Sequence, residues 1–279
     1  MATRTDNIYT QSDSAGCIRY LKKRLTLYRM EQAFLAAIGA ALAATIALPG
    51  SIHISVQILL AVLIFITLFH LALRRNYIFQ APSSVLYDQC DPGKYADILL
   101  FLLQHAGGQR KLLLTTNLCS AYYAMGEFGK AAELLSSLKK DSQQLPALQN
   151  FYYDMAMRLD AENEDYKNFG EYKAALEKLY DRCKDTDRDA ALRALATLDV
   201  MSYYALAKSR DWGGMQAKLE QWLAACSCDY QSVYTQYLLG ALLCKKGDRK
   251  GAQKYLEFAA EKGNTMYQAA AARKLLAGK

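Results

Sequence analysis

The sequence predicts an all-α protein in two parts: an N-terminal transmembrane helical hairpin, then an α-solenoid of antiparallel helix pairs. Three observations support this. Residues 33–73 contain no Asp, Glu, Lys or Arg. Beyond Pro82 the chain alternates apolar-periodic stretches of helical spacing with short breaks, and no strand pattern stands out. The breaks themselves recur in a similar chemical form.

Residues 1–32 are a basic leader expected on the cytoplasmic side. Residues 1–15 are polar and expected to be disordered. From residue 16 to 31, Ile18, Leu21, Leu25 and Tyr28 repeat every three or four residues, with Arg19, Lys22, Lys23, Arg24 and Arg29 between them. That pattern is a short amphipathic basic helix. It could lie on an anionic leaflet, but the simpler reading is a plain extension of the first span.

The apolar region divides into residues 33–48 and 52–73, joined by Pro49, Gly50 and Ser51. A membrane span needs ~20 mostly apolar residues. The second run meets that length, and the first approaches it with help from Met30 and the stem of Arg29. The stretch 58–66 is apolar on every side, whereas a core helix of a small domain keeps a polar stripe. A cleaved signal would follow a shorter leader. Ala36, Ala37, Gly39, Ala40, Ala41, Ala43 and Ala44 would let the first span approach the second closely. His53 and His70 lie near the ends of the second span with no acidic partner, so no proton path is expected.

The net charge of +7 is local. Six Lys and Arg against three acids precede the apolar region, and Arg74 and Arg75 follow it. The remainder is nearly balanced, which excludes the basic stripe of a nucleic-acid binder. Lys and Arg stay on the cytoplasmic side, so both termini are expected there, in an integral two-span protein; the composition is consistent with a bacterial inner membrane. The seven cysteines are odd in number and lack framework spacing, as in a reducing compartment.

Residues 76–90 are a linker, and 91–279 the solenoid. Asp91 and Pro92 cap and open a helix through His105. Breaks follow at Gly126, Leu145 and Pro146, residues 168–170, residues 185–187, Arg210 and Asp211, Gly247 and Asp248, and Gly263 and Asn264. Gly126-Glu127-Phe128-Gly129-Lys130-Ala131, Gly170-Glu171-Tyr172-Lys173-Ala174-Ala175 and Gly247-Asp248-Arg249-Lys250-Gly251-Ala252 share a Gly, an acid, and an Ala five beyond the Gly. Arg210-Asp211-Trp212-Gly213-Gly214-Met215 is a weaker copy. In each, Gly would close one helix, the acid would cap the next, and the small Ala would allow close packing.

At these residues the chain resembles the tetratricopeptide repeat family. Leu239, Gly240, Leu243, Gly247, Ala252, Leu256 and Ala259 stand at its signature spacing, as do Leu118, Tyr122, Gly126, Phe128, Ala131 and Leu135. The middle copies depart from it: the Gly-type positions lie 44, 40 and 37 apart, against the family's usual 34. The last helix, 265–277, would cap the array.

No enzyme is expected: no Gly-rich phosphate loop or activated nucleophile is evident, and His105 is the single histidine outside the membrane region. Asp160, Glu162, Glu164 and Asp165 form an acidic helix end, and Cys226 with Cys228 lacks the second pair that a zinc site needs. No metal or cofactor is expected. The resemblance implies a concave groove lined by the first helix of each pair. Its register places Tyr123, Tyr204, Tyr234 and Tyr237 there, with Thr116, Ser120, Lys208 and Lys245 nearby, as sites for a protein or peptide partner. The competing reading is that these tyrosines pack between helices. A carboxylate clamp is not evident, since Leu113, Thr116, Asn117 and Ser120 occupy its positions. The function expected is a membrane-anchored scaffold; the alternative is a structural subunit of a membrane complex held through its hairpin.

Overall fold

The computed structural model describes residues 6–47, 54–80 and 82–278. The described residues are all helical, without strands, and divide into two compact units, Met1–Ser84 and Val85–Lys279.

In the first unit, α1 (Asp6–Gln11) precedes α2 (Ser14–Ala47) and α3 (Ile54–Gln80). Residues 6–11 are therefore helical rather than disordered. The reason is Tyr9, which is fully buried and meets the Tyr20 ring edge-on at 6.2 Å. The leader helix and the first apolar run form the single helix α2. One stripe of half- and fully buried positions on it runs Cys17, Leu21, Leu25, Tyr28, Glu31, Leu35, Ile38, Leu42 and Thr45, a repeat near 3.5 residues. On α3 the matching stripe is Gln57, Leu60, Ile64, Thr67, Leu71, Arg74 and Ile78. Helices with such stripes pack as a coiled-coil pair, and α2 packs on α3. Glu31 and Arg74 form an ion pair across the seam.

One expectation and one alternative reading change here. The close-approach face of small residues is not used: six of the seven are exposed, and a Cβ built on Gly39 would meet nothing within 4 Å. Larger Leu35, Ile38 and Leu42 fill the seam instead. The leader's apolar face, Leu21 and Leu25, is buried inside this unit rather than offered to a leaflet. Pro49, Gly50, Ser51 and His53 lie outside the described residues. His70 is exposed.

Among the described residues one stretch, Val56–Tyr87, is long and apolar enough to cross a membrane, and only 6% of its most apolar window is buried. A core helix would be mostly buried. The expected linker is mostly helical: α3 continues to Gln80, and α4 (Ser83–Tyr87) follows.

The second unit comprises α5 (Pro92–Leu103), α6 (Gln109–Ala124), α7 (Phe128–Ser142), α8 (Pro146–Glu162), α9 (Phe169–Cys183), α10 (Arg188–Ser209), α11 (Trp212–Ala225), α12 (Asp229–Lys245), α13 (Arg249–Lys262) and α14 (Tyr267–Leu276). Each helix packs on its neighbour in sequence, the arrangement of a solenoid. A break between α11 and α12, at residues 226–228, was not evident from the sequence. Asp91, Asp187, Asp211 and Asp248 cap their helices by accepting from backbone N–H groups at 2.8–3.1 Å. All seven cysteines are free thiols.

Four turns share one geometry. Gly126, Glu164, Arg210 and Gly247 all have left-handed φ, of 77°, 53°, 57° and 84°. Each donates its N–H three residues back, and the next residue donates five back: Glu127 to Tyr122, Asp165 to Asp160, Asp211 to Leu206, Asp248 to Leu243. These are Schellman motifs. Gly170 is not one of them, because α9 already starts at Phe169. The break lies earlier, at Glu164. A left-handed side-chain-bearing residue costs ~1 kcal/mol. Arg210→Gly is therefore expected to raise stability by about 0.5–1 kcal/mol, read as an increase in the urea midpoint followed by tryptophan emission. An unchanged or lower midpoint would show that Arg210 is not strained.

The ends of the solenoid meet. Asn264 Nδ2 donates to the Gln89 carbonyl at 3.1 Å, and Thr265 Oγ1 donates to Asp91 Oδ1 at 2.7 Å. Tyr87 stacks edge-on against Tyr230 at 5.9 Å, and Phe128 against Tyr267 at 5.5 Å. Side chains of the first and last parts of the second unit thus meet across the expected concave groove.

Candidate functional site

Two adjoining cavities, of about 620 Å³ and about 280 Å³, both open to solvent, lie in the second unit. Their walls come mainly from α6, α8, α10, α12 and α14, the first helix of each pair and the capping helix. Tyr204 and Tyr234 line both. Tyr123 and Ser120 line the larger; Tyr237 and Lys245 line the smaller.

Two nominated residues line neither. Thr116 is buried and its hydroxyl donates to the Leu113 carbonyl at 2.7 Å, within its own helix. Lys208 is exposed. The tyrosines also serve the packing role that competed with a groove role. Tyr123 is 2% exposed and Tyr204 8% exposed. Tyr204 meets Phe169 and Tyr203 edge-on at 5.9 and 5.4 Å. Tyr237 and Tyr267 approach through their hydroxyls at 3.5 Å. Burial pushes the Tyr123, Tyr204 and Tyr237 phenols well above their ordinary value, so each remains a neutral hydroxyl.

The residue that sequence reasoning missed is Arg158 on α8. It lines the larger cavity with its side chain 21% exposed. Its Nε donates to Asp154 Oδ2 at 3.0 Å, and its Nη1 approaches the Tyr234 hydroxyl at 3.5 Å. Desolvation opposes its charge, but Asp154 and the surrounding phenols outweigh that and hold it cationic. Asp154 Oδ1 is buried and accepts no hydrogen bond among the described residues. The available signal was the i,i+4 acid–base spacing on α8, which marks a helix pair. In the same cavity, Asp199 accepts from Trp222 Nε1 at 2.8 Å and pairs with Lys218.

The acidic helix end is structural in part. Asp160 Oδ2 accepts from the Tyr172 hydroxyl at 2.9 Å, and Glu162 Oε1 from the Tyr123 hydroxyl at 2.7 Å. Burial raises the Glu162 carboxyl above its ordinary value, against the lowering effect of that bond and of Arg158. Among the described residues no group of three or more His, Cys, Asp or Glu could hold a metal ion. The chemistry on display is recognition by aromatic faces, hydroxyls and a few charges. No family model, curated protein or solved structure matches this chain.

Proposed function

We propose that this protein is a membrane-anchored recruitment module, with α2 and α3 together as the anchor and the solenoid as the binding element. In this reading the pair α2–α3 crosses the bilayer as a two-span hairpin, with both termini on the cytoplasmic side. Exposed apolar side chains along α3 and the basic flanks support it. The Schellman turns at Gly126 and Gly247 support the tetratricopeptide-type resemblance of the solenoid. The observation that most favours protein binding is the pair of cavities sharing Tyr204 and Tyr234. Tyrosine offers a large contact area with a polar tip. The cavities are too small for a helix, which is ~10 Å across with side chains. Their occupant would be side chains of an extended segment or loop. Anchoring would concentrate that partner at the membrane.

The test is affinity purification of the full chain in mild detergent, beside a Tyr204→Ala/Tyr234→Ala variant checked for native helix content. Loss of a captured protein from the variant is the expected result. A partner kept by the variant would overturn groove recognition and favour the alternative, a structural subunit held through its hairpin. In intact cells, an impermeant thiol reagent is expected to label an introduced Ser51→Cys. Labelling of the solenoid cysteines instead would reverse the topology.

A further inference from the structure

The near balance of charge in the second unit is a sum of opposites. Residues 85–244 hold 17 Lys and Arg against 21 Asp and Glu, whereas residues 245–279 hold nine against three. The four Schellman turns each join the first helix of a pair to its second, so they follow one another along one edge of the solenoid. The two early turns are neutral or acidic: Glu127 pairs with Lys130, and Glu164 stands beside Asp165. The two late turns carry Lys208 and Arg210, then Lys245, Lys246, Arg249 and Lys250. All of these cations are exposed, and none makes an ion pair among the described residues. Lys246 Nζ donates to Gln216 Oε1 on α11 at 2.6 Å, which sets the two basic turns side by side. Their acids, Asp211 and Asp248, accept from the backbone N–H groups of Gly214 and Gly251 at 2.9 and 2.8 Å, as helix caps.

We infer that this basic edge docks an Asp- and Glu-rich segment of a partner protein. This rests on the protein-binding reading above and adds a surface outside the tyrosine-lined cavities, with which it shares Lys245 alone. Like charges on neighbouring turns repel one another. A run of carboxylates relieves that repulsion, accepts charge-assisted hydrogen bonds from Lys and Arg, and steers the partner's approach. Two other polyanions fit less well. Single-stranded nucleic acid is held by stacking on aromatic rings, and no aromatic residue from 188 to 278 is exposed. For an anionic bilayer the placing is wrong. The chain enters this unit at residues 89–91, beside Asn264 and Thr265. That is the far end of α13 from its basic turn, ~20 Å along a helix of 14 residues.

The probe is a fluorescein-labelled Glu-Ser repeat peptide, titrated by anisotropy against the full chain in nonionic detergent, beside its Gln-Ser counterpart. Saturable binding of the Glu-Ser peptide alone is expected, weakened by added salt. Lys208→Gln, Lys246→Gln, Arg249→Gln and Lys250→Gln together, with far-UV circular dichroism unchanged, should weaken it about tenfold. Arg249→Gln/Lys250→Gln, the smaller change, should give a partial loss. Lys111→Gln, Lys139→Gln, Lys140→Gln and Lys178→Gln together remove the same net charge elsewhere and should leave affinity within about twofold. No saturable binding, an equal response to the Gln-Ser peptide, or equal loss in both charge variants would overturn the basic edge. Two further arms test the other polyanions. Tighter binding of an oligouridine of equal charge, lost in the edge variant, would assign nucleic acid instead. In nanodiscs holding a dansyl lipid, energy transfer from the α11 tryptophans that rises with phosphatidylserine and is lost in the edge variant would assign the leaflet. The protein-binding reading is judged apart, on the Tyr204/Tyr234 purification. A captured protein that the edge variant keeps would refute the edge and leave that reading standing.

Discussion

Arg158→Ala is expected to destabilise the solenoid by about 3 kcal/mol. Both members of the pair are about four-fifths buried, with side chains 21% and 23% exposed. Removing the guanidinium leaves Asp154 as a nearly buried charge whose Oδ1 already lacks a donor. It also removes the neighbour of the Tyr234 hydroxyl. The two tryptophans lie on α11 in the second unit, so urea unfolding followed by their emission reports on the solenoid. The decisive comparison is the Asp154→Ala/Arg158→Ala double variant. Because removing both partners avoids an orphaned charge, its cost should be lower than the sum of the single variants by about 1–2 kcal/mol. Strict additivity would mean that Asp154 finds another partner or water, and that the pair does not organise the cavity wall.

Leu256→Ala is expected to cost about 3–4 kcal/mol. Leu256 is 2% exposed on α13 and packs where α12 has no side chain. A Cβ built on Gly240 would lie 2.6 Å from Leu256 Cγ and Cδ2 and 3.4 Å from the Ala252 carbonyl oxygen. The glycine is there because leucine occupies its space. Truncating the leucine leaves a cavity against a helix that cannot collapse into it. The paired variant Gly240→Ala/Leu256→Ala should recover part of the loss, since the new methyl fills the vacated volume and glycine gives way to a better helix former. Gly240→Ala alone, with Leu256 in place, should cost about 1–3 kcal/mol by overpacking. If the paired variant is no more stable than Leu256→Ala, these two residues are not each other's packing partners.

Local chemistry was the readable part of this chain. Asp91, Asp211 and Asp248 act as caps where their position before a helix says they should. Gly126 and Gly247 mark Schellman turns because glycine is the residue that accepts left-handed φ without strain. Glu164 and Arg210 make the same turn without that mark, so the second break was misplaced at Gly170. Of the residues that the repeat resemblance placed on the groove face, Tyr123, Tyr204, Tyr234 and Tyr237 line cavity walls, while Thr116 and Lys208 do not. What lay out of reach depends on contacts between distant residues. Arg158 meets Tyr234 across 76 positions, and Thr265 meets Asp91 across 174. No periodicity encodes such meetings. Thr116 illustrates the opposite error, since a residue on the right face turned its hydroxyl back to its own helix.

The bonds from Asn264 and Thr265 to Gln89 and Asp91 also change how the chain must fold. An open array of helix pairs gains stability one neighbour at a time and can lose it the same way, fraying from either end. Here the two ends are bonded to each other. The first helix lacks its final partner until residues 264 and 265 have been made, so the early helices wait for late ones before the circle locks. Closing so long a loop carries an entropic cost that depends only weakly on its length but delays the rewarding contact. Once formed, those two bonds tie the turn before the last helix to the start of the first, so fraying at either end gives up bonds at the other, each worth about 0.5–1.5 kcal/mol.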